Sequence, residues 1–161
     1  MRTIYLDYNA TTPLDARVRE AMQPAFEETW GNPSSVHHVG QSARALLDDA
    51  RERVAATLKC KPSELIFTSG GSESTNLALL GMARQIRSHG RHIITSAVEH
   101  DAVLHPCEYL ANNDGFEITF LPVDGVGRVS PDDVREAFRR DTVLVSIMAA
   151  NNELGTIQPV A

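Results

Sequence analysis

Hydrophobic residues recur along this chain with two different spacings, and each spacing predicts one kind of element. Between Gly40 and Lys59 the apolar positions lie three or four residues apart, and charged residues fill the other faces. This pattern is typical of an amphipathic helix. Its apolar positions are Ala43, Leu46, Leu47, Ala50, Val54, Ala55 and Leu58. Pro62 ends the pattern, because proline lacks the backbone N–H that a helix needs.

Short apolar runs alternate with longer amphipathic segments over the remainder of the chain. Asp15 is placed to cap an earlier helix that continues to about residue 29. Ser130 followed by Pro131 marks the start of a late helix, because proline is favoured at the first helical position. The predicted strands are residues 64–68, 92–96, 116–122 and 142–148, and the helices between them are residues 73–88, residues 102–112 and the segment that starts at Pro131.

The regular alternation of strand and helix predicts an α/β fold. Parallel strands joined by right-handed crossovers place helices on the faces of the sheet, so we expect three αβα layers around a mainly parallel sheet. Residues 1–14 read as an extended arm, and residues 15–161 read as one body.

Composition narrows the class of protein. The chain has 161 residues, 42% of them hydrophobic and 22% charged, which is typical of one globular domain or part of one. The net charge of −6 comes without a run of Lys or Arg, so we expect neither nucleic acid nor an anionic membrane as a partner. No apolar stretch reaches the ~20 residues that cross a bilayer, and the first residues lack the layout of a signal peptide, which favours the cytoplasm. Cys60 and Cys107 lie too far apart in sequence to predict a metal site.

Ligands of such sheets collect where strands end, so the loops that follow strands are the candidate sites. The loop from Thr68 to Ser74 carries Gly70, Gly71 and Ser72 immediately before a helix. Backbone N–H groups at the positive end of a helix dipole bind phosphate. The loop matches neither a dinucleotide fingerprint nor a Walker A motif, and an ordinary turn with hydroxyl caps stays open as the alternative.

Two further loops carry polar side chains. Glu99 and His100 follow the strand at residues 92–96, and a histidine there can stack on a flat ring, transfer a proton, or only cap the next helix. Asn151 and Asn152 follow the strand at residues 142–148, where an amide can hydrogen-bond a phenolate or carboxylate oxygen. Asn is also common in turns, so the structural interpretation remains open for this loop.

Five segments in order carry a resemblance to a known family. They are Tyr5-Leu6-Asp7-Tyr8-Asn9-Ala10-Thr11-Thr12-Pro13, Asn32-Pro33-Ser34-Ser35 with His37, His38 and Gly40, Glu73-Ser74-Thr75-Asn76-Leu77-Ala78, Glu99-His100, and Asn151-Asn152-Glu153-Leu154-Gly155. Together they resemble the successive motifs of cysteine desulfurases of the NifS and IscS kind, which are class V aminotransferases dependent on pyridoxal 5'-phosphate. The resemblance implies the N-terminal half of the large domain of a fold-type I enzyme, with residues 1–14 belonging to a small domain.

The resemblance also implies roles for four residues. Gly71 and Ser72 stand where the family binds the cofactor phosphate. His100 stands where a histidine stacks on the pyridine ring and is a candidate catalytic acid or base. Asn151 stands where an asparagine hydrogen-bonds the ring oxygen. The implied reaction takes sulfur from L-cysteine, gives L-alanine and leaves a persulfide on the enzyme for sulfur-acceptor proteins, and the implied assembly is a homodimer.

Three groups that this reaction needs have no counterpart in the chain. The family uses a Schiff-base lysine, an aspartate facing the pyridine nitrogen and a mobile nucleophilic cysteine. Lys59 and Lys61 are the chain's lysines, and both lie before the candidate phosphate loop. We therefore expect a truncated fragment that is inactive alone.

Other functions remain open. One alternative is another class V aminotransferase, such as a selenocysteine lyase or a kynureninase-like hydrolase. A second is a non-catalytic domain that only assembles with a partner polypeptide. A self-sufficient phosphate-binding module is a weaker third alternative, since it leaves His100 and the asparagine loop without a purpose.

Overall fold

The computed structural model of the chain describes residues 3–160. Its contacts divide the chain into two compact units, one ending at Phe67 and the other beginning at Thr68. The predicted boundary between residues 14 and 15 refers to the complete enzymes of the family, and it stays a prediction.

The first unit is built from two helices. Helix α1 spans Ala16–Glu27, and the Asp15 carboxylate accepts a hydrogen bond of 2.8 Å from the backbone N–H of Arg17, as the sequence predicts for its cap. Helix α2 spans His38–Leu58 and ends at Lys59, which adopts a left-handed backbone conformation. Over the described residues this unit buries Gly40, Ala43 and Ala55, so most of the apolar stripe predicted for α2 is partly exposed.

The predicted strand at residues 64–68 is wrong. A short 3-10 helix occupies Pro62–Glu64, and the backbone from Leu65 onward is extended but pairs with no strand among residues 3–160. An extended segment becomes a strand only when a neighbour takes up its backbone hydrogen bonds. Here the Leu65 carbonyl accepts a 2.6 Å hydrogen bond from the Arg51 guanidinium, which also lies 4.7 Å from the centre of the Phe67 ring.

The second unit contains a sheet of three parallel strands. These are β1 (His92–Ser96), β2 (Glu117–Leu121) and β3 (Thr142–Ser146), in the order β2-β1-β3. Ile94 of β1 pairs with Thr119 of β2 and Val145 of β3. Helix α3 spans Gly71–Ile86, α4 spans Asp101–Asp114, and α5 spans Pro131–Ala137. The three predicted strands and the three predicted helices of this unit are confirmed, with shifts of one or two residues at most of their ends.

Two apolar layers cover the two faces of the sheet. On one face Ile93 packs with residues of α3 and α4, and on the other Ile94 packs with Leu121, Val129 and residues of α5. Consecutive residues of a strand point to opposite faces, which is why this pair serves both layers. The first layer consists of Leu79, Ala83, Ile93, Val103, Cys107, Leu110 and Phe116. The predicted three-layer αβα architecture with a parallel sheet is thus confirmed.

His92 links the three strands near their amino ends. Its ring is fully buried and lies 2.7 Å from the Thr142 hydroxyl and 2.7 Å from the Thr119 hydroxyl. Burial, together with the charge of Arg139, lowers the pKa of His92, although Asp141 and Glu117 oppose that shift. The folded state therefore disfavours the protonated ring.

None of the helices in the described part of the chain is both long and apolar enough to span a membrane.

Acid should destabilise the second unit through His92. The pKa of His92 is lower in the folded than in the unfolded chain, where it is about 6.5, so the unfolded chain binds more protons as the pH falls below that value. We expect the free energy of unfolding to decrease from about pH 7 to 5. Urea titrations of the wild-type chain and of His92→Gln, which keeps a donor and an acceptor but does not titrate, measure this. If the free energy of unfolding decreased equally steeply in the variant, His92 would not be the cause of the acid sensitivity.

Candidate functional site

The carboxyl ends of β1 and β3 meet at one edge of the sheet because the two strands are parallel neighbours. The loop of residues 97–100 leaves β1 and leads into α4, and the loop of residues 147–156 leaves β3. Both loops were chosen from the sequence as candidate sites. The fold brings their backbones and side chains into direct contact, as described below.

The amino end of α3 presents backbone N–H groups at Gly71 and Ser72. The first helical hydrogen bond of this turn runs from Ser74 N–H to the Gly70 carbonyl, at 3.1 Å. The N–H groups of the first helical residues have no carbonyl partner within a helix. The Glu73 carboxylate turns back and accepts hydrogen bonds of 2.6 Å from the Ser69 N–H and the Ser69 hydroxyl, which lower the pKa of Glu73.

Space in front of the two glycines is open. A Cβ atom built on Gly70 or on Gly71 meets no other atom within 4 Å, and Gly70 has an extended backbone that any residue adopts. The local fold therefore does not require glycine at either position. The backbone around Gly71 is therefore not covered on the side where a Cβ would lie.

His100 is the cap of helix α4. Its ring Nδ1 accepts a 3.0 Å hydrogen bond from the backbone N–H of Ala102, and the residue is otherwise exposed. Because Nδ1 uses its lone pair for this cap, the proton of the neutral ring lies on Nε2. The structure thus gives His100 a defined tautomer, in which Nε2–H can donate a hydrogen bond to a ligand.

Asn151 organises the loop after β3. Its Oδ1 accepts hydrogen bonds from the backbone N–H groups of Glu153 and Leu154, at 2.9 and 2.8 Å. Its Nδ2 donates to the Val98 carbonyl at 2.9 Å and lies 3.5 Å from the Met148 sulfur, a weak acceptor. The side chain therefore has one N–H, the one directed at sulfur, that a stronger acceptor can take over.

His100 lies where three clefts of the second unit meet. The cleft between α3 and α4, of about 620 Å³, is lined by Ser72 and His100 among others. A second cleft, of about 590 Å³, lies between α3 and β3, and a third, of about 380 Å³, contains both His100 and Asn151. The structure brings His100 together with Ser72 on one side and with Asn151 on the other. Gly71 is not among the residues that line these three clefts.

Charged and aromatic side chains form the far wall of the α3/α4 cleft. The Arg84 guanidinium pairs with the Asp114 carboxylate at 2.8 Å, and it lies 5.6 Å from the centre of the Tyr109 ring. The hydrogen bond to Asp114 is the main cause that raises the pKa of Arg84. Because Arg84 is already paired within the chain, the Ser72 end of this cleft is the better place for an anion.

Glu99 is the residue whose importance the sequence did not reveal. Its carboxylate is only 7% exposed, and its Oε1 accepts hydrogen bonds from the Ser96 hydroxyl at 2.9 Å and the Met148 N–H at 2.7 Å. The signal available in the sequence is a carboxylate three residues after the end of the predicted strand at residues 92–96.

Comparison with known proteins decides the family. The family model described as aminotransferase class V matches residues 4–161. The chain belongs to the class V aminotransferase family. Members of this family depend on pyridoxal 5'-phosphate.

Several relatives of this class V chain are named as cysteine desulfurases. It is 55% identical over 159 residues to the cysteine desulfurase IscS of Dictyoglomus turgidum, covering 99% of this chain and 40% of that protein. It is 50% identical to the cysteine desulfurase IscS of Methanosarcina thermophila, of which it covers 39%. The chain therefore spans about 40% of the length of the curated relatives it matches.

Two solved structures superimpose closely on this class V chain. A NifS-like protein superimposes with a TM-score of 0.93 at 46% identity, covering 98% of this chain and 43% of that one. A structure titled SspA in complex with cysteine superimposes with a TM-score of 0.90 at 43% identity, with 45% of that chain covered. The resemblance seen in the motifs is thereby confirmed at the level of family and fold.

Cys107 of this class V chain does not have the environment of a mobile nucleophile. Cys107 is fully buried in the layer between α4 and the sheet. Burial is the main cause that raises the pKa of Cys107 to about 11, and the charges of Glu99 and Glu108 add to it. A thiol with that pKa is protonated at neutral pH and is a poor nucleophile. Cys60 is half-buried and lies in the first unit, directly after α2.

The two thiols should differ sharply toward a disulfide reagent. In the native chain we expect about one fast-reacting thiol, Cys60, because Cys107 is neither exposed nor ionised. Titration with Ellman's reagent, without and with denaturant, measures the difference, and Cys60→Ser should remove the fast phase. A fast reaction that persists in Cys60→Ser would show that Cys107 is accessible.

Proposed function

We propose that this chain is the N-terminal part of the cofactor-binding domain of a cysteine desulfurase. The observation that carries the proposal is that Ser72, at the amino end of α3, and His100, at the amino end of α4, line the same cleft. A single molecule with an anionic group and a flat ring can touch both. Pyridoxal 5'-phosphate has both features.

The amino end of α3 is the proposed phosphate site. The Gly71 and Ser72 N–H groups lie at the positive end of a 16-residue helix, next to open space. The Ser72 hydroxyl adds one donor. The Glu73 carboxylate is engaged by the N–H and the hydroxyl of Ser69.

His100 is the proposed partner of the cofactor ring. Its cap to the Ala102 N–H fixes the imidazole and leaves the proton on Nε2, so the ring can stack and can donate a hydrogen bond from a defined atom. When bound, the cofactor supplies an electron sink for the carbanion chemistry of an amino acid. The task of His100 is to stack on the ring and to donate a hydrogen bond from Nε2–H.

Asn151 is the proposed hydrogen-bond donor to the ring oxygen. One Nδ2–H is held by the Val98 carbonyl, and the other is directed at the Met148 sulfur. A phenolate oxygen is a far better acceptor than a thioether, so the exchange favours the ligand. The two loop hydrogen bonds to Oδ1 keep the amide in its orientation during the exchange.

We propose further that L-cysteine is the substrate of the complete protein and that sulfur-acceptor proteins, a homodimer and a cytoplasmic location belong to it. The names of the relatives support cysteine over selenocysteine, and one similar structure is titled as a complex with cysteine. The likeness to proteins named IscS supports a role in iron-sulfur cluster assembly or tRNA thiolation.

A non-catalytic assembly domain remains the second candidate. Within the described residues β3 pairs only with β1, and Leu144, Ile147 and Met148 line an open cleft beside α3. Both features suit further strands from a longer polypeptide. Turnover by the isolated chain would argue against this candidate, while sedimentation analysis showing a stoichiometric complex with a second polypeptide would favour it.

Replacing Ser72 by aspartate should weaken ligand binding without destabilising the fold. A carboxylate in the first turn of α3 stabilises the helix through its dipole but repels a phosphate. We expect Ser72→Asp to weaken pyridoxamine 5'-phosphate binding by at least about tenfold without lowering the melting temperature. This ligand is used because it lacks the aldehyde that reacts with surface lysines.

One matched variant controls that measurement, which isothermal titration calorimetry provides. Ser72→Thr keeps the hydroxyl and adds no charge, so it should bind as the wild type does. Equal affinity of Ser72→Asp and wild type would remove α3 as the phosphate site.

The isolated chain should not release sulfide from L-cysteine. With pyridoxal 5'-phosphate and a thiol reductant present, we expect no sulfide above that formed by the free cofactor, because the family's Schiff-base lysine has no counterpart among Lys59 and Lys61. Sulfide assays test this. Turnover that disappears in the Lys59→Arg, Lys61→Arg double variant would overturn the expectation.

A further inference from the structure

The Glu99 carboxylate joins the two loops that carry the proposed cofactor contacts. Its Oε1 is shared by two donors, the Ser96 hydroxyl at the end of β1 and the Met148 N–H after β3. Ser96 is fully buried and Glu99 nearly so. A carboxylate is costly to bury unless hydrogen bonds compensate, so its presence here marks a specific arrangement.

A second link runs beside the first. The Asn151 Nδ2 donates to the carbonyl of Val98, the residue before Glu99. The Val98 carbonyl and the Glu99 side chain are thus both hydrogen-bonded to the loop after β3. The next residue along the chain is His100, whose ring caps α4.

The position of His100 therefore depends on Glu99. The His100 ring is exposed and has one hydrogen bond in the structure's described part, the cap to Ala102. A single weak bond does not hold an exposed ring, but a backbone fastened at Glu99 restricts where the ring can lie. Glu99 itself lines two of the three clefts that meet at His100.

We infer that Glu99 is a positioning residue, whose buried carboxylate holds His100 in the tautomer and orientation that cofactor binding requires. This inference rests on the proposed function. The effect is geometric: one oxygen must reach two donors that lie on different strand ends. It does not depend on the negative charge of Glu99.

Two substitutions at Glu99 separate geometry from charge. Glu99→Gln keeps the length and an Oε1 acceptor but loses the charge. Glu99→Asp keeps the charge but is one methylene shorter, so that it cannot reach Ser96 and Met148 together. Thr95→Val is the matched control, since it removes a buried cross-strand hydrogen bond of 2.9 Å to the Ser146 carbonyl without touching residues 97–100.

The first readout is the tautomer of His100 in the ligand-free chain. Nitrogen-15 NMR at about pH 8 distinguishes a protonated from an unprotonated ring nitrogen, and His100→Gln assigns the signals. We expect Glu99→Asp to shift both ring signals toward a mixture of tautomers. Glu99→Gln and Thr95→Val should keep the wild-type signals, with the proton on Nε2.

The second readout is the affinity for pyridoxamine 5'-phosphate. We expect Glu99→Asp to bind about threefold to tenfold more weakly than wild type, with Glu99→Gln and Thr95→Val unchanged. If the wild-type chain does not bind this ligand, the proposed function fails, and the tautomer comparison still decides about Glu99.

Three results would overturn the inference. One is a Glu99→Asp chain with wild-type His100 signals, and another is the reverse pattern, in which Gln loses the tautomer and Asp keeps it. If Glu99→Asp does not fold, Ser96→Ala replaces it, because it removes one of the two donors with little change in volume. Unchanged His100 signals in Ser96→Ala would then reject the role of Glu99.

Discussion

The central position of β1 is the constraint on which the site depends. Because β1 is bonded to β2 on one side and to β3 on the other, all in parallel, the loops after β1 and β3 must emerge side by side. Its residues are buried on both faces, with Ile93 facing α3 and α4 and Ile94 facing α5. A change that shifts β1 in register would move His100 away from the amino end of α3 and from the loop after β3.

Polar groups connect the strands at both ends of the sheet. At the amino ends the His92 ring bridges two threonine hydroxyls, and at the carboxyl ends Glu99 and Asn151 join the two loops. The apolar layers lie between these polar connections. Buried polar groups of this kind specify one arrangement of the strands, because a shifted arrangement leaves them without partners.

The two units differ in how much of their apolar side-chain surface is buried. Residues from Thr68 onward form a sheet whose two faces are covered by buried apolar layers. Residues up to Phe67 leave large apolar side chains exposed, such as Leu6 at 88% and Ile66 at 72%. The chain spans about 40% of the length of its curated relatives.

Helices, caps and the parallel α/β class followed from the sequence, because apolar spacing, Asp15, Ser130 and Pro131 act over a few residues. The family followed too, from motifs spread along the chain. The strand at residues 64–68 could not be judged locally, since an extended segment needs a distant partner for its hydrogen bonds. The role of Glu99 likewise became visible only in three dimensions, because Met148, its second donor, lies 49 residues further along the chain. Spacing determines which elements form, whereas contacts between distant residues decide which side chains share a site.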